Sequence, residues 1–437
     1  MIRLAMIYPS RTKETYSEEL LYSPLALAYL GRHTPAHYDI TLYDEYVGAD
    51  VDPSSISADI AAFSAITPGI SRAYELADKL RLRGVHCIAG GAHVTALPDE
   101  ALQHFDTIVA GEGEAPWREF LRDFEAGRPA QRYFGPMDVS LEDLGTPRRS
   151  LIHPNYHFPS VITSRGCPFH CTFCFLNAFE HRRYRTIPHE TVLEDLDSVR
   201  HSPFVIVTDE NFAGYGAADI EDRKILLEKM IRRRYRFVWG CQSTINLARD
   251  PELMHLMHRA GCRAIFIGFE AVDPEGLREV NKRLHLDVDY KEAIASLHRH
   301  KLAVIASCIL GLDSQDHSYP RKLIAALKDA RADFPRLFFM TAWPGTPLFA
   351  RLEKEGRVTR EWDGVRKDMP SVRFKHFTHA EAMAARKEIL DAFFNVWNVL
   401  RVIGRWMFKD ASLFGLFLKM VMRNRLSEII RRFRVGN

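Results

Sequence analysis

The chain has 437 residues, of which 46% are hydrophobic and 26% charged, an ordinary composition for a globular protein of two or three domains. A formal net charge of +3 is too small to indicate nucleic-acid binding by itself. The first residues run directly into a strand-like pattern without the apolar segment of a signal peptide, and no window reaches the roughly 20 apolar residues of a membrane span. We therefore expect a cytoplasmic protein.

Residues 1–140 alternate between strand-like and helical patterns. Short apolar runs predict strands at 4–8, 40–43, 60–65, 85–89 and 108–110. Helical spacing covers 24–31 and 71–84. This alternation predicts a doubly wound parallel sheet of the flavodoxin or Rossmann type, in which ligands bind at the carboxyl ends of the strands. In this chain the corresponding loops are 64–69, 90–93 and 111–114, and their glycines allow backbone to approach a bulky ligand.

The strand–helix alternation resumes after residue 160. Residues 141–159 are predicted to be a linker, since they contain prolines and little periodicity. Strands are expected at 161–163, 204–208, 237–240, 264–269, 303–310 and 336–341. With helical patterns between them, these strands predict a partial (β/α)6 barrel over residues 160–350. Residues 351–437 are expected to form a helical region, with one helix over 380–402.

Three of the seven cysteines lie within eight residues, namely Cys167, Cys171 and Cys174. An odd number of cysteines with this clustering indicates a metal site in a reducing compartment rather than a disulfide framework. Three thiolates on one loop can each bind one iron of a cubane cluster, which leaves the fourth iron open to a substrate. The alternative is a zinc site whose fourth ligand is His170, Cys241 or Cys262.

The segment from Cys167 to Cys174 resembles the CxxxCxxC signature of the radical S-adenosylmethionine (SAM) superfamily. The resemblance implies a 4Fe–4S cluster on the three cysteines and SAM bound at the open iron. Reductive cleavage of SAM would then give a 5′-deoxyadenosyl radical that abstracts a hydrogen atom. It also implies an external electron donor of the flavodoxin or ferredoxin type.

Further motifs of this superfamily follow in order along residues 160–350. The stretches 208–212, 268–270, 281–282 and 343–348 resemble its DDNF, GxES, NK and PGTPL elements, with Ala271 where serine is more usual. The SAM-binding residues implied by the resemblance are Phe173, Asp209, Glu210, Gln242, Ser243, Glu270 and Leu310. The alternatives are that Asp209 is a capping residue and that Glu270 is a solvated strand end.

The glycine-rich loops of residues 64–114 resemble those of cobalamin-binding domains attached to radical SAM enzymes. The cobalamin-binding residues implied are Ser64, Thr67, Pro68, Gly69, Gly90, Gly91, His93, Gly111, Glu112 and Gly113. The DxHxxG motif that supplies a lower axial histidine is missing, although this subfamily commonly binds cobalamin without it. The alternatives are a flavodoxin-like domain with an empty pocket, and His93 as a hydrogen-bonded loop residue.

These resemblances predict a cobalamin-dependent enzyme that C-methylates an unactivated carbon of a specialised metabolite or lipid and consumes two SAM molecules per product. One alternative keeps the radical step without methylation, as in cyclisation, rearrangement or oxidation. Another is a non-catalytic iron–sulfur electron-transfer protein, against which the open fourth iron argues.

The charge is concentrated at the end of the chain. Residues 401–437 contain nine Lys or Arg and two Asp or Glu residues, interspersed with aliphatic and aromatic side chains. Such a segment either lies on an anionic membrane surface or forms a helical pair on the barrel with its basic residues outward. Membrane contact would suit a lipid-like substrate such as an isoprenoid or a tetrapyrrole. Nucleic acid is not expected as a partner.

Overall fold

The computed structural model describes residues 1–10, 22–136, 139–156, 158–178, 183–366 and 369–407. These residues form two six-stranded parallel sheets, each covered by helices, and a short antiparallel pair of strands. The first sheet belongs to the N-terminal domain and the second to an open barrel. Both architectures were predicted from the alternation of apolar runs and helical spacing.

The N-terminal sheet has the strand order β2-β1-β3-β4-β5-β6. Its strands are β1 (Ile2–Tyr8), β2 (Tyr38–Asp44), β3 (Ile60–Ser64), β4 (His86–Gly90), β5 (Thr107–Gly111) and β6 (Arg132–Gly135). The first five follow the flavodoxin-like order, which confirms the predicted fold class. The sequence did not predict β6, because only Tyr133 and Gly135 of this short edge strand are buried.

Helices cover both faces of this sheet. They are α1 (Leu25–Arg32), α2 (Ile70–Arg81), α3 (Ala92–Ala96), α4 (Pro98–Ala101) and α5 (Glu114–Glu125). Successive residues of β1 alternate between the faces, so Leu4 and Met6 pack with Trp117 of α5 while Ala5 and Ile7 share the core on the side of α2. Burial on both faces explains why these strands are continuously apolar.

The second sheet has the order β14-β13-β12-β11-β10-β7. Its strands are β7 (Ser160–Val161), β10 (Phe204–Val207), β11 (Val238–Ser243), β12 (Cys262–Glu270), β13 (Ala303–Leu310) and β14 (Phe334–Phe339). The strands of this sheet follow one another in the same order along the chain and across the sheet, and all pairs are parallel. This arrangement confirms the partial (β/α)6 barrel. Its helices are α6 (His189–Ser198), α7 (Ala217–Arg233), α8 (Pro251–Arg259), α9 (Pro274–Glu279), α10 (Tyr290–Arg299), α11 (Tyr319–Asp329) and α12 (Pro347–Lys354).

The predicted linker at 141–159 is packed against both domains. The backbone N–H of Arg148 donates to the carbonyl of Ala28 in the N-terminal domain. The guanidinium of Arg149 donates two hydrogen bonds, of 2.6 and 2.7 Å, to the carboxylate of Asp195 in the barrel domain. The predicted C-terminal boundary of the barrel domain, at residue 350, falls inside the helix α12.

The C-terminal region contains two helices, α13 (His379–Phe394) and α14 (Val396–Met407). The prediction of one helix over 380–402 was therefore wrong. Asn395 is extended, with φ −71° and ψ 158°, and its side-chain oxygen accepts a 2.9 Å hydrogen bond from the backbone of Asn398. It caps a new helix, which the continuous apolar spacing concealed. Residues 408–437, where most of the predicted basic tail falls, lie outside the described residues.

No helix in the described part of the chain is long and apolar enough to cross a membrane.

Candidate active site

The three clustered cysteines follow a short strand that the sequence did not predict. β8 (Ser164–Arg165) pairs antiparallel with β9 (Arg185–Thr186), so that the cysteine loop leaves and returns to one point beside the barrel. Gly166 has φ 89°, a left-handed conformation that favours glycine and turns the chain out of β8. The loop begins at the carboxyl end of β7, where an open α/β sheet binds its ligands.

Side chains and backbone from distant parts of the chain hold this loop. The Asn177 amide donates to the carbonyls of Cys171 and Cys174 at 2.6 and 2.9 Å. The Asn281 amide, from the NK element, donates to the carbonyl of His170 at 2.8 Å. The backbone N–H of Leu348, from the PGTPL element, donates to the carbonyl of Thr172 at 3.1 Å. Two motifs recognised in the sequence thus position the cysteine loop.

Cys167, Cys171 and Cys174 are not part of any disulfide among the described residues, and all three are half-buried. Burial raises the pKa of the Cys167 thiol, and the nearby Lys282 ammonium acts in the opposite direction. Burial also disfavours the charged form of Lys282, but Glu270 and the thiols of Cys171 and Cys167 outweigh it and raise the pKa of Lys282. A cation beside two of the three thiols favours the thiolate form that binds iron.

The zinc alternative requires a fourth ligand close to the three cysteines. Among the described residues, no three His, Cys, Asp or Glu side chains are grouped closely enough to hold one metal ion. Cys241 and Cys262, considered above as fourth zinc ligands, are buried in the adjacent strands β11 and β12 and contact each other.

Asp209, a predicted SAM contact, is fully buried and already has several donors. Its carboxylate accepts hydrogen bonds from the Thr163 backbone at 2.6 Å and from the Ser164 hydroxyl at 2.7 Å. The Thr163 hydroxyl also donates to it. Burial raises the pKa of Asp209, and these hydrogen bonds oppose that rise. In this structure Asp209 fixes the strand that leads into the cysteine loop.

Glu210 lies beside the cysteine loop and lines the cavity described below. Its carboxylate accepts a 3.2 Å hydrogen bond from the backbone of Gly166, and burial raises its pKa. Glu270, at the end of β12, has φ 62° and forms a 2.7 Å ion pair with Lys282. The ion pair contradicts the alternative that Glu270 is a solvated strand end.

The remaining predicted SAM contacts lie at the carboxyl ends of the barrel strands. The Ser243 hydroxyl donates to the Asn211 side chain at 3.1 Å, and Gln242 is half-buried. Leu310 is buried at the end of β13, and Phe173 packs against the core beside the cysteine loop. These residues surround the same end of the barrel, as predicted, while their roles remain predictions.

A cavity of about 330 Å³ joins the strand ends of the N-terminal domain to the cysteine loop. Its walls come from α1, β3, β4, β5 and α5 on one side and from the cysteine-loop region on the other. The predicted cobalamin-site residues that line it are Ser64, Gly90, Gly91, Gly111, Glu112 and Gly113. The barrel domain contributes Arg165, Gly166, Cys167, Phe175, Leu176, Arg185 and Glu210.

The glycines of this cavity serve two purposes. Gly91 and Gly111 have φ 111° and 91°, and a Cβ atom on either would lie within 3 Å of a backbone oxygen, so the fold itself requires them. A Cβ on Gly90 would meet only ordinary contacts at 3.5 Å, and one on Gly113 would lie 3.4 Å from Leu30. A larger side chain at Gly90 or Gly113 would therefore extend into the cavity, as expected where a bulky ligand approaches backbone.

The other predicted cobalamin contacts, Thr67, Pro68, Gly69 and His93, are buried and do not line this cavity. His93 is 1% exposed and lies in α3, and both of its ring nitrogens have protein partners. Nδ1 is 3.1 Å from the Thr67 hydroxyl and Nε2 is 3.3 Å from the Glu100 carboxylate, which also accepts from the indole of Trp362. These contacts support the alternative of a hydrogen-bonded histidine.

Three largely buried ion pairs connect the domains at the cavity wall, and the sequence did not reveal them. Arg165 donates to Glu114 at 2.5 and 3.2 Å and lies 3.6 Å from Glu112. Arg185 donates to the same Glu112 carboxylate. We call these four residues the interdomain cluster. The glutamates belong to a recognised glycine-rich loop, but nothing local in the sequence indicates their arginine partners.

The fold and the site together define the class of protein. Residues 161–327 match the Radical SAM superfamily, and residues 19–121 match the B12 binding domain. The chain contains a radical SAM domain and an N-terminal B12-binding domain, which confirms the resemblance recognised in the sequence. It is a radical SAM enzyme.

Relatives in sequence include named methyltransferases. Bacteriochlorophyllide d C-12(1)-methyltransferase of Chlorobaculum tepidum is 26% identical over 369 residues, covering 81% of this chain and 78% of the relative. Hopanoid C-2 methylase of Rhodopseudomonas palustris is 25% identical over 350 residues, with coverages of 77% and 66%. Anaerobic magnesium-protoporphyrin IX monomethyl ester cyclase of Rubrivivax gelatinosus is also 25% identical, over 335 residues, with coverages of 68% and 59%.

Two solved structures share the whole architecture. The radical SAM methyltransferase TsrM of Kitasatospora setae, solved with cobalamin and a [4Fe-4S] cluster, aligns with a TM-score of 0.66 at 16% identity, covering 90% of this chain and 81% of TsrM. The cobalamin-dependent enzyme OxsB, with aqua-cobalamin and SAM bound, has a TM-score of 0.70 at 14% identity and coverages of 100% and 73%. At these identities the likeness shows a common fold.

Proposed function

We propose that this protein is a cobalamin-dependent radical SAM enzyme that methylates an unactivated carbon of a hydrophobic metabolite or lipid. The observation that supports this proposal is the single cavity shared by the glycine-lined strand ends of the N-terminal domain and by Cys167. A methyl donor and a radical initiator must act on one substrate, so their sites must open into a common space. Relatives that act on hopanoids and bacteriochlorophyllides support a hydrophobic substrate.

The proposal assigns the cluster to Cys167, Cys171 and Cys174, and cobalamin to the strand-end loops that contain Gly90 and Gly113. When bound, the cluster would supply an electron for the cleavage of SAM and cobalamin would supply the methyl group. Around them the chain provides a largely apolar cavity wall, and the cation of Lys282 lies beside the thiols. An external flavodoxin or ferredoxin would deliver the electrons.

Within the SAM site we propose Glu210, rather than Asp209, as the partner of the ammonium group of SAM. Glu210 faces the cavity next to Gly166, whereas the Asp209 carboxylate is occupied by Thr163 and Ser164. The Glu210→Gln variant should raise the KM for SAM more than it lowers kcat. If the KM stays unchanged while Asp209→Asn raises it in a folded protein, the assignment is reversed.

The test of the function uses reconstituted full-length protein under anaerobic conditions, with a reductant, cobalamin and SAM carrying a deuterated methyl group. The proposal expects transfer of the labelled methyl group and equal amounts of S-adenosylhomocysteine and 5′-deoxyadenosine. Bacteriochlorophyllide-type and hopanoid-type compounds are the first substrates to try. Full turnover without any cobalamin would contradict the methylation mechanism.

A matched pair of variants tests the cofactor assignment. Gly90→Val extends into the cavity and should reduce the cobalamin retained on purification. Gly364→Val, where a Cβ meets nothing within 4 Å, serves as the control and should retain cobalamin. Equal retention in both variants would remove Gly90 from the proposed site.

A radical reaction without methylation is the second candidate, and the similarity to the anaerobic cyclase favours it. Product mass separates the two, because methylation adds one CH2 and cyclisation does not. The same assay therefore distinguishes them.

A further inference from the structure

The last described helix, α14, is attached to the bottom of the barrel by one face. Val402 and Trp406 are fully buried and pack against Ala264, Ala303 and Phe334. These three residues lie at or near the amino ends of β12, β13 and β14. The attachment therefore lies at the opposite end of the parallel sheet from the cysteine loop, which follows the carboxyl end of β7.

A buried carboxylate fixes α14 in this position. Asp333 accepts hydrogen bonds from the Trp406 indole at 3.0 Å, from Arg405 at 2.8 Å and from His298 at 2.9 Å. We call these four residues the Asp333 cluster. Because burial and several charge-assisted hydrogen bonds hold it, α14 is an ordered part of the domain rather than a loose end.

The opposite face of α14 exposes large apolar side chains. Val396 is 48% exposed, Trp397 82% and Leu400 53%. At about 100° per residue these three side chains, with Arg401 and Gly404, share one side of the helix, whereas Val399, Val402 and Trp406 share the other. An exposed tryptophan with two aliphatic neighbours on a firmly held helix marks a contact surface. We call Val396, Trp397 and Leu400 the α14 face.

The surroundings of the α14 face are basic. Arg401 and Arg331 are exposed, and Arg405 donates to the backbone of Arg331 at 3.0 Å. Partial burial and the charges of Arg405 and Arg331 lower the pKa of Arg401, as expected for neighbouring like charges. In sequence, residues 408–437 add seven Lys or Arg and two Asp or Glu residues directly after this helix.

We propose that the α14 face inserts into an anionic lipid surface. Tryptophan and aliphatic side chains rimmed by arginine match the interface between anionic headgroups and acyl chains. A basic segment of this chain folding back over the face would meet like charge at Arg331 and Arg401, whereas anionic lipid attracts both. This proposal does not depend on methylation, because the α14 face lies at the end of the barrel opposite to the cysteine loop.

The experiment measures co-sedimentation of the full-length protein with phosphatidylcholine vesicles and with vesicles that also contain phosphatidylglycerol. We expect binding to the anionic vesicles that weakens as salt is added. The double variant Trp397→Ser/Leu400→Ser should bind at least about tenfold more weakly, since each large apolar side chain contributes to insertion. It should keep its unfolding midpoint and its SAM cleavage. Leu82→Ser, at a residue 89% exposed on the N-terminal domain, is the matched control and should bind normally.

Three results would overturn the proposal. The first is unchanged vesicle binding by the double variant, and the second is equal binding of the wild type to neutral and anionic vesicles. The third is a wild-type dimer in light scattering that the double variant loses, which would make the face a contact between two copies. A variant that ends at residue 407 completes the test. Weaker binding supports a joint lipid contact of α14 and the tail, whereas stronger binding would show that the tail covers the face.

Discussion

Buried charges occur at both ends of the barrel, and they are arranged differently. The interdomain cluster pairs two glutamates with two arginines, each side chain retaining between 10% and 18% exposure at a cavity wall. In the Asp333 cluster a single carboxylate, 0% exposed, is surrounded by donors, and apolar side chains close over it. One arrangement joins two domains around an open space and the other seals a surface.

The two clusters differ because the two ends of the barrel strands have different surroundings. At the carboxyl ends of the strands, glycines and half-buried thiols leave room for ligands, so charges there must be paired across the space. At the amino ends, Trp406 is buried and packs with Val402 against the strands. Variants at the two ends should therefore differ in effect, with changes in chemistry and domain contact at the carboxyl ends and changes in the attachment of α14 at the amino ends.

The largest effect is expected for the cysteine loop. Cys171→Ala should abolish the formation of 5′-deoxyadenosine, because a cubane cluster would lose one of its three protein ligands. The matched control is Cys241→Ala, a buried thiol outside the loop, which should keep this activity. Loss of activity in the control with an intact fold would revive Cys241 as a metal ligand.

The next effect concerns the interdomain cluster. Glu114→Gln leaves the largely buried Arg165 guanidinium with Glu112, 3.6 Å away, as its remaining carboxylate partner, so we expect the free energy of unfolding to fall by about 3 kcal/mol. The midpoint of denaturant unfolding checks this. Lys291→Ala, which breaks an ion pair exposed by more than 60% on both sides, should leave the midpoint nearly unchanged.

The same variant tests positioning at the cavity. Since the interdomain cluster sets the two walls of the cavity against each other, Glu114→Gln should yield more 5′-deoxyadenosine per methylated product than the wild type does. An unchanged ratio would limit the cluster to a structural role.

The third prediction concerns pH and the bottom of the barrel. Burial alone would raise the pKa of Asp333, but the hydrogen bond from His298 and the positive charges of His298 and Arg405 outweigh it and lower the pKa. The stabilisation from Asp333 is therefore complete above the pKa of an unfolded aspartate, about 3.9, and is lost as the pH falls through the lower folded value.

Tryptophan emission measured through this acid range should show Trp406 becoming exposed in the wild type. In Asp333→Asn the helix should be loosened already at neutral pH, and this acid-dependent step should be absent. An identical acid transition in both proteins would assign the step to other groups.

The smallest effect is expected at the break between α13 and α14. Asn395→Ala removes the side chain that caps α14 and should cost about 1 kcal/mol. Limited proteolysis near residue 395 should become faster, while the cleavage of SAM stays unchanged. A loss of activity would show that the two ends of the barrel are coupled.

Much of the fold could be predicted from the sequence because strands and helices produce local patterns of apolar residues. Parallel strands buried on both faces appear as short apolar runs, and helices between them appear as a 3.6-residue period. The edge strand β6 was missed because only alternate residues of it are buried, and β8 and β9 were missed because two residues are too few to produce a period. The break at Asn395 was missed because apolar residues continue through it and only the backbone of that one residue departs from the helix.

The residues of the site could be predicted from the sequence where they lie close together in the chain. Cys167, Cys171 and Cys174 were identified by spacing, and Gly90 and Gly113 by their place after predicted strands. The sequence could not decide whether Glu210 or Asp209 contacts SAM, because both residues follow the same strand. They differ only in what surrounds each side chain. The arginines of the interdomain cluster escaped notice, since Arg165 and Glu114 are 51 residues apart.

The sequence by itself determined the cysteine loop and the two parallel sheets, because spacing and periodicity are properties of neighbouring residues. The class of chemistry followed from the resemblance of its motifs to those of the radical SAM superfamily. The tertiary structure decided which carboxylate faces the cavity, which charges join the two domains and which side of α14 is exposed. Arg405 and Asp333 are 72 residues apart, and no local pattern relates them. Burial and ion pairing of this kind depend on which surfaces meet after the strands and helices have formed.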